Sequence, residues 1–371
     1  MFSIAFVKSS AVIIILRVLG GISTGIIFAI LPVYTAEVSE KDIRGQLGII
    51  QLILSTLGNV YIYSVGPFIS FRALTISVAI FPLLFITSFY FMPETPYYLV
   101  KKGKLKSAVK SIKQLSLDGL SDDALASRLR EIEEYVHKGV TNSGSLKELF
   151  YRSNRKALVI NLVLRTVLVL SGLFVLSSYL QKLINDSGSS ISPEVTSIIF
   201  GVINLPSVLV AAFLVDRVGR RPLFLISSFG CAIALIAVGI YFYLKENGDV
   251  SDILWLPTTG ICAYVVLAYL GINAIPGVVQ GETFSINTKS IASSIIMIYG
   301  SGTSFLLLRF FQPLSDELGV YVMFWFFGAV CILGFLFGIF FLPETKGKTF
   351  SEIQDILDKR KTENLQLEAV K

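Results

Sequence analysis

Residues 195–244 read VTSIIFGVINLPSVLVAAFLV, DRVGRRP, LFLISSFGCAIALIAVGIYFYL: two apolar runs separated by the short charged stretch Asp216-Arg217-Val218-Gly219-Arg220-Arg221-Pro222. Each run is about as long as the roughly 20 residues a helix needs to cross a bilayer. Neither alternates polar and apolar residues as the shorter strands of a membrane barrel do. A chain in hydrocarbon must also satisfy its peptide groups internally, so both runs are expected to be helices. The glycine permits a tight reversal between them, and the proline suits the first turn of the second. Similar runs recur at 12–31, 47–65, 73–92, 157–180, 253–279, 291–311 and 320–342, which makes nine full spans and an all-α polytopic membrane fold. The composition agrees: 53% hydrophobic residues, 16% charged residues and a mean hydropathy of +0.71 lie outside the usual range of a soluble domain.

The formal net charge of +6 raises the question of a nucleic-acid partner, and the distribution of that charge argues against one. Lys101, Lys102, Lys104, Lys106, Lys110, Lys113, Arg152, Arg155 and Lys156 crowd one connection, and Arg217, Arg220 and Arg221 another. The connections 64–71, 185–194 and 246–252, expected on the opposite side, carry almost no basic residues. By the positive-inside rule the basic connections are cytoplasmic, so the charge belongs to membrane topology and the partner is the lipid bilayer. Between 93 and 156 the hydropathy falls, and Leu105, Ala108, Val109 and Ile112, then Leu125, Leu129, Ile132 and Val136, fall at helical spacing. The expected organisation is a partial helical bundle (1–92), a cytoplasmic helical insert (93–156), a six-helix bundle (157–342) and a cytoplasmic tail (343–371).

Cys231, Cys262 and Cys331 sit in apolar runs as small packing residues, and His137 has no second ligand beside it, so neither metal nor cofactor is expected. No nucleophile, base and orienter recur near one membrane face, which disfavours an enzyme. The opening residues lack a basic leader and a small-residue cleavage pattern, and they read as mature structure.

The chain also echoes itself. Glu37 precedes Arg44 by seven positions, and Glu282 precedes Lys289 by the same seven; Pro93-Glu94-Thr95 recurs as Pro343-Glu344-Thr345 at nearly the same offset. Parallel repeats of this kind mark transporter folds. The same offset would put the first-half counterpart of Asp216 to Arg221 upstream of Met1, so the numbering implies missing N-terminal sequence. Glu37, Arg44, Glu94, Asp216, Arg217, Arg220, Arg221, Glu282, Lys289 and Glu344 all fall at cytoplasmic ends of spans. Either they form an ion-pair belt that latches the cytoplasmic side and must break for it to open, or they anchor helix ends at the interface.

Arg17-Val18-Leu19-Gly20-Gly21, Pro32-Val33-Tyr34-Thr35-Ala36-Glu37 and Arg44-Gly45-Gln46-Leu47-Gly48 together resemble the fourth-helix signature of the sugar porter family of the major facilitator superfamily. Pro93 to Leu99 resembles its sixth-helix ending, Asp216 to Arg221 its loop between the eighth and ninth helices, and Pro343 to Gly347 its twelfth-helix ending. The Glu282-Thr283-Phe284-Ser285 ending with Lys289 looks most like the insect facilitated trehalose and glucose carriers. The resemblance implies a major facilitator fold from which the first two helices and most of the third are missing, with Met1 to Lys8 as the last turns of the third. It further implies facilitated transport of a sugar of the glucose or trehalose class across the plasma membrane by alternating access. The alternatives are a transport-inactive truncated isoform and a carrier of a non-sugar polar solute.

The chain departs from the family where the family binds sugar. The paired glutamines and the asparagine of the seventh helix are Leu168, Val169 and Phe174; the tenth-helix tryptophan is Gly277; the fifth-helix glutamine falls on Leu52; the eleventh-helix asparagines fall on Gly300 and Ser304. Burying a sugar hydroxyl without a partner costs on the order of one to several kcal/mol, so an apolar pocket binds sugar poorly. The candidates left for the substrate pathway are Ser171, Tyr179, Asn204, Asn273, Tyr299, Ser304 and Arg165. Asn161 and Arg165 lie four apart, on one helix face. Arg165 either snorkels to the interface or faces the cavity, where it would favour an anionic or polyhydroxy acid solute. Pro206, Pro257, Pro276, Gly271 and Gly277 are expected to interrupt the eighth and tenth helices of the family count, freeing carbonyls where carriers place substrate. Glu37 and Glu282 sit at span ends, so facilitated diffusion is expected over proton symport. Asn185-Asp186-Ser187 is a sequon on the expected outer side.

Overall fold

The computed structural model describes residues 2–39, 44–115, 122–141, 149, 152–284, 286–348, 352–353 and 356–357. Every regular element among them is helical, and the chain divides into two compact units, Met1–Ser143 and Gly144–Lys371.

The first unit begins with a 3₁₀ turn, Phe2–Ala5, followed by α1 (Ser10–Val38), α2 (Arg44–Val65) and α3 (Phe71–Phe89). Both α1 and α3 contain stretches long and apolar enough to cross a membrane. The short α4 (Pro96–Lys101) begins at Thr95, whose hydroxyl accepts the Tyr98 N–H at 3.1 Å, with Pro96 in its first turn. Beyond it come α5 (Leu105–Leu115) and α6 (Asp122–Thr141). Ile112, Leu125 and Ile132 form a small core with Tyr97, Val100, Val109, Leu129 and Val136 packed around it, so the helical spacing in the polar insert marks buried faces except at Leu105, which is 44% exposed. Ser111 ties this subdomain to the end of the third span by donating to the Glu94 carbonyl at 2.6 Å.

The second unit holds α7 (Arg152–Leu170), α8 (Leu173–Ser187), α9 (Pro193–Val218), α10 (Arg220–Asn247), α11 (Leu256–Leu270), α12 (Ala274–Thr283), α13 (Ile286–Leu318) and α14 (Val320–Phe340). Across the described residues of both units, eight helical segments are long and apolar enough to cross a membrane. The remaining expected span, 47–65, is helical within α2, where the side chains of residues 44–49, 51 and 52 lie outside those described.

Two spans that read as continuous are each built from two helices. Between α7 and α8, Gly172 takes φ +91°, and a Cβ there would meet Phe327 Cδ2 at 2.6 Å, so both the backbone twist and the ring demand glycine. The Tyr264 hydroxyl donates to the freed Ser171 carbonyl at 3.0 Å. Between α11 and α12, the Ser227 hydroxyl donates to the Leu267 carbonyl at 2.6 Å and accepts the Ile272 N–H at 2.9 Å. In hydrocarbon each of these bonds replaces a partner that water cannot supply. The expected interruption at Pro206 does not occur: α9 runs unbroken from Pro193 to Val218, because a transmembrane helix tolerates the loss of one backbone bond when its neighbours and nearby hydroxyls compensate.

In this unit α10 packs most extensively on α14 and α11. Lipid is as apolar as leucine, so this contact rests on close van der Waals fit. Phe242 stacks on Phe324 with ring centroids 5.5 Å apart, and Trp325 closes over Gly239, where a Cβ would lie 2.5 Å from its Cδ1. Gly172→Ala is expected to cost about 1–3 kcal/mol from backbone strain, plus the clash with Phe327. Thermal unfolding of the detergent-solubilised protein measures this. Adding Phe327→Ala should leave the strain component in place, and an unchanged midpoint for Gly172→Ala would contradict the account of the break.

Candidate functional site

The charged turn between α9 and α10 is organised around one carboxylate. Gly219 has φ +102° and ψ +163°, a region essentially closed to other residues, and a Cβ there would lie 2.8 Å from Glu344 Oε2. Glu344, just beyond α14, accepts the N–H of Arg220 at 3.1 Å, of Arg221 at 3.0 Å and of Lys346 at 2.8 Å. It thereby caps the positive end of α10. Burial pushes the Glu344 carboxyl up, but the N–H donors of Lys346, Arg220, Arg221 and Thr345 outweigh it and hold the group below its ordinary value.

Arg220 turns its side chain away from this nest. Its Nη2 lies 2.7 Å from Glu282 Oε1 and 3.2 Å from Asp216 Oδ1, Nε donates to the same Glu282 oxygen at 3.2 Å, and Nη1 donates to the Val215 carbonyl at 3.0 Å. The other Glu282 oxygen accepts from the Thr345 hydroxyl at 2.6 Å. Three motifs distant in sequence, the α9–α10 turn, the end of α12 and the Pro-Glu-Thr after α14, thus meet in one network.

The remaining charged candidates have other partners. The Arg217 guanidinium lies 4.0 Å from the centre of the Phe213 ring, and its carbonyl accepts from Lys346 Nζ at 2.6 Å. Arg221 donates to the Gly338 carbonyl at 3.2 Å and to that of Ile339. Lys289 donates to the Gly281 carbonyl at 3.0 Å. In the first unit Glu37 is half-buried near the end of α1, and Glu94 is exposed before α4. Arg44 opens α2 with its side chain outside the described residues, as is that of His137. Among the described residues no three His, Cys, Asp or Glu side chains group as a metal site.

The pathway candidates divide by what their polar atoms already do. Ser171 is fully buried; its hydroxyl donates to the Leu168 carbonyl at 2.9 Å and lies 3.2 Å from the Tyr264 hydroxyl, so it is engaged within the bundle. Asn204 is 1% exposed, and its Oδ1 has no partner among the described residues. Tyr179 packs its ring 5.0 Å from that of Phe311. Tyr299 shares a 2.7 Å hydrogen bond with Thr166, which ties α13 to α7. Asn273 sits half-buried at the start of α12, and Ser304 is half-buried on α13. Arg165 lies across Gly300: a Cβ there would come within 2.2 Å of its Nε, which is buried without a partner. Asn161, one turn earlier, donates to the Thr283 hydroxyl at 2.9 Å. Leu168 and Val169 are buried, and Gly277 faces open space.

Sequence reasoning passed over Tyr264, Ser227 and Thr166, and met Thr345 only as part of the repeated Pro-Glu-Thr. The available signal for Tyr264 was that a tyrosine deep in an apolar run needs a partner for its hydroxyl. The Arg220–Glu282 pair is expected to show a coupling of about 0.5–3 kcal/mol in a double-mutant cycle of Arg220→Gln and Glu282→Gln read by thermal unfolding; additive losses would remove the pair as a structural element. Because the folded-state Glu344 carboxyl is held low, its stabilisation is full above the ordinary carboxylate range and fades as pH falls through the depressed value. Wild-type stability should therefore fall more steeply on acidification than that of Glu344→Gln.

Residues 1–357 match the family model described as sugar (and other) transporter. The facilitated trehalose transporter Tret1 of Apis mellifera ligustica is 30% identical over 95% of this chain and 70% of its own length. That of Aedes aegypti is also 30% identical over 95% of this chain, which spans 44% of it. Among solved structures, the inward open xylose transporter XylE from E. coli superimposes with a TM-score of 0.76 at 25% identity, covering 93% of this chain and 72% of that one. The proton:xylose symporter XylE bound to 6-bromo-6-deoxy-D-glucose gives a TM-score of 0.69 at 25% identity, covering 93% and 74%. With the all-helical fold and the network joining Asp216, Arg220, Glu282 and Glu344, these likenesses establish that the chain belongs to the sugar (and other) transporter family and has the fold of the major facilitator superfamily.

Proposed function

We propose that the chain carries a sugar of the glucose or trehalose class across the plasma membrane by alternating access, as facilitated diffusion. The insert 93–156 and the tail from 343 would lie in the cytoplasm, on the side of the basic connections. The observation that carries this reading is the pair of helix breaks at Gly172 and at 271–273, whose freed peptide groups are satisfied by Tyr264 and Ser227. Discontinuous helices of this kind are where carriers place their solute. Tyr179, Asn204, Asn273, Tyr299, Ser304 and Arg165 are the polar groups proposed to meet it. The named substrates of the relatives, trehalose and xylose, support the sugar class.

In this reading the Arg220–Glu282–Asp216 network acts as a latch at the cytoplasmic ends of the C-terminal helices, whose rearrangement accompanies opening. Glu37 and Glu282 lie at helix ends, which favours a carrier without proton coupling, although one relative is a symporter by name.

A second reading concerns the charge of the solute. Arg165 has no acidic partner among the described residues, and Leu168 and Val169 leave few hydroxyl-binding groups near it. An anionic polyhydroxy solute would supply the missing countercharge.

Tracer uptake into proteoliposomes with trehalose, glucose and glucuronate separates the readings. Saturable uptake of a neutral sugar, unchanged when a proton gradient is collapsed, is the expected result. Preference for glucuronate, lost by at least tenfold in Arg165→Gln, would shift the assignment to the second. Uptake of none of the three would remove both.

A further inference from the structure

The end of the second unit that carries the charged network holds a cavity of about 460 Å³ between α7, α14 and the residues Ile356 and Leu357. Its walls have two characters. Val159, Phe340 and Phe341 are apolar and are 52%, 58% and 57% exposed, where a membrane helix meets its surroundings. Arg155, Lys156 and Arg221 line the rest.

Two of these cations are held in place by neutral groups. Lys156 Nζ donates to the Leu357 carbonyl, and the Arg221 guanidinium donates to the carbonyls of Gly338 and Ile339. Carbonyls position a cation without cancelling its charge. No carboxylate among the described residues lies within ion-pair distance of the three side chains, whereas neighbouring Arg220 is paired with both Glu282 and Asp216. Glu344, beside the lining residue Pro343, is engaged by the backbone N–H groups of Arg220, Arg221 and Lys346.

A ligand that fits both walls needs a negative head and an apolar body. A soluble anion would leave the aromatic wall unused, and a zwitterionic lipid would bring its own cation against three others. We propose that this cavity binds one anionic phospholipid from the leaflet that meets this end of the helices. Its phosphate would be held by Arg155, Lys156 and Arg221, and its acyl chains would lie along Val159, Phe340 and Phe341. The site is separate from the sugar pathway and does not depend on which solute is carried.

The test is lipid retention by the purified full chain, read by native mass spectrometry after exchange into mixed phosphatidylglycerol and phosphatidylcholine. One phosphatidylglycerol per chain is expected to persist, and the retained fraction should fall at least tenfold in Arg155→Gln/Lys156→Gln. Val159→Trp keeps the cations and fills the cavity, and it should lower retention equally. Lys104→Gln, in the insert, should change nothing. Equal retention of the two lipids, or full retention in both cavity variants, would overturn the proposal. Displacement by inorganic phosphate alone would overturn it too, because the ligand would then be a soluble anion. A variant with reduced yield is scored by the ratio of the two lipids, which misfolding does not bias towards either headgroup.

Discussion

A peptide group in hydrocarbon has only the protein to bond to, and that constraint shapes the two helix breaks of the second unit. An unbroken helix meets it automatically. A broken one must import donors and acceptors from its neighbours, and the two breaks in the second unit do so by different means. At Gly172 the buried Tyr264 hydroxyl reaches the Ser171 carbonyl from α11. At 271–273 a serine on α10 serves both an acceptor and a donor. Both imports demand close approach: the break at Gly172 packs on Phe327, and Gly271 sits so near Ser227 that a Cβ would lie 2.4 Å from the serine Cβ. The glycines, the hydroxyls and the tight packing of α10 are therefore parts of a single solution.

At the membrane surface the same need for partners is met with charge. The α10 N-terminus has unsatisfied N–H groups and a positive end, and Glu344 answers both. That leaves the Arg220 guanidinium free to reach across to Glu282, which Thr345 holds from the other side. Two carboxylates thus divide the work, one bonding backbone and one bonding a side chain. Such a division fits the latch proposed above, in which the backbone cap would persist while the side-chain pair exchanges partners.

Much of this was legible in the sequence. The apolar runs, the Gly219 reversal, the amphipathic insert and the repeated Glu and Pro-Glu-Thr positions all express local physics, and local physics is what periodicity and turn chemistry report. What was not legible depended on tertiary contact. Proline is the visible helix breaker, so Pro206 drew attention while α9 passes through it intact. Gly172 breaks a span without a proline because a ring from α14 lies against it. The two Pro-Glu-Thr copies look alike yet diverge: Thr95 caps α4, whereas Thr345, with no helix following it directly, donates to Glu282. The hydroxyl of Ser171, a pathway candidate by residue type, bonds within its own bundle, with the Leu168 carbonyl and with Tyr264, which only tertiary contact brings near.

Arg165 and Gly300 constrain one another. The arginine stem crosses Gly300 at a separation no Cβ would permit, so the arginine on α7 requires a glycine at 300. The arginine also brings a charge into a span whose neighbouring positions, Leu168 and Val169, offer it nothing. An intramembrane cation left unpaired is costly, and the cost is relieved by water, by a membrane-facing tip or by a solute that carries the opposite charge. In the second reading proposed above it is the solute, which would convert a standing penalty into a difference in affinity between charged and neutral cargo.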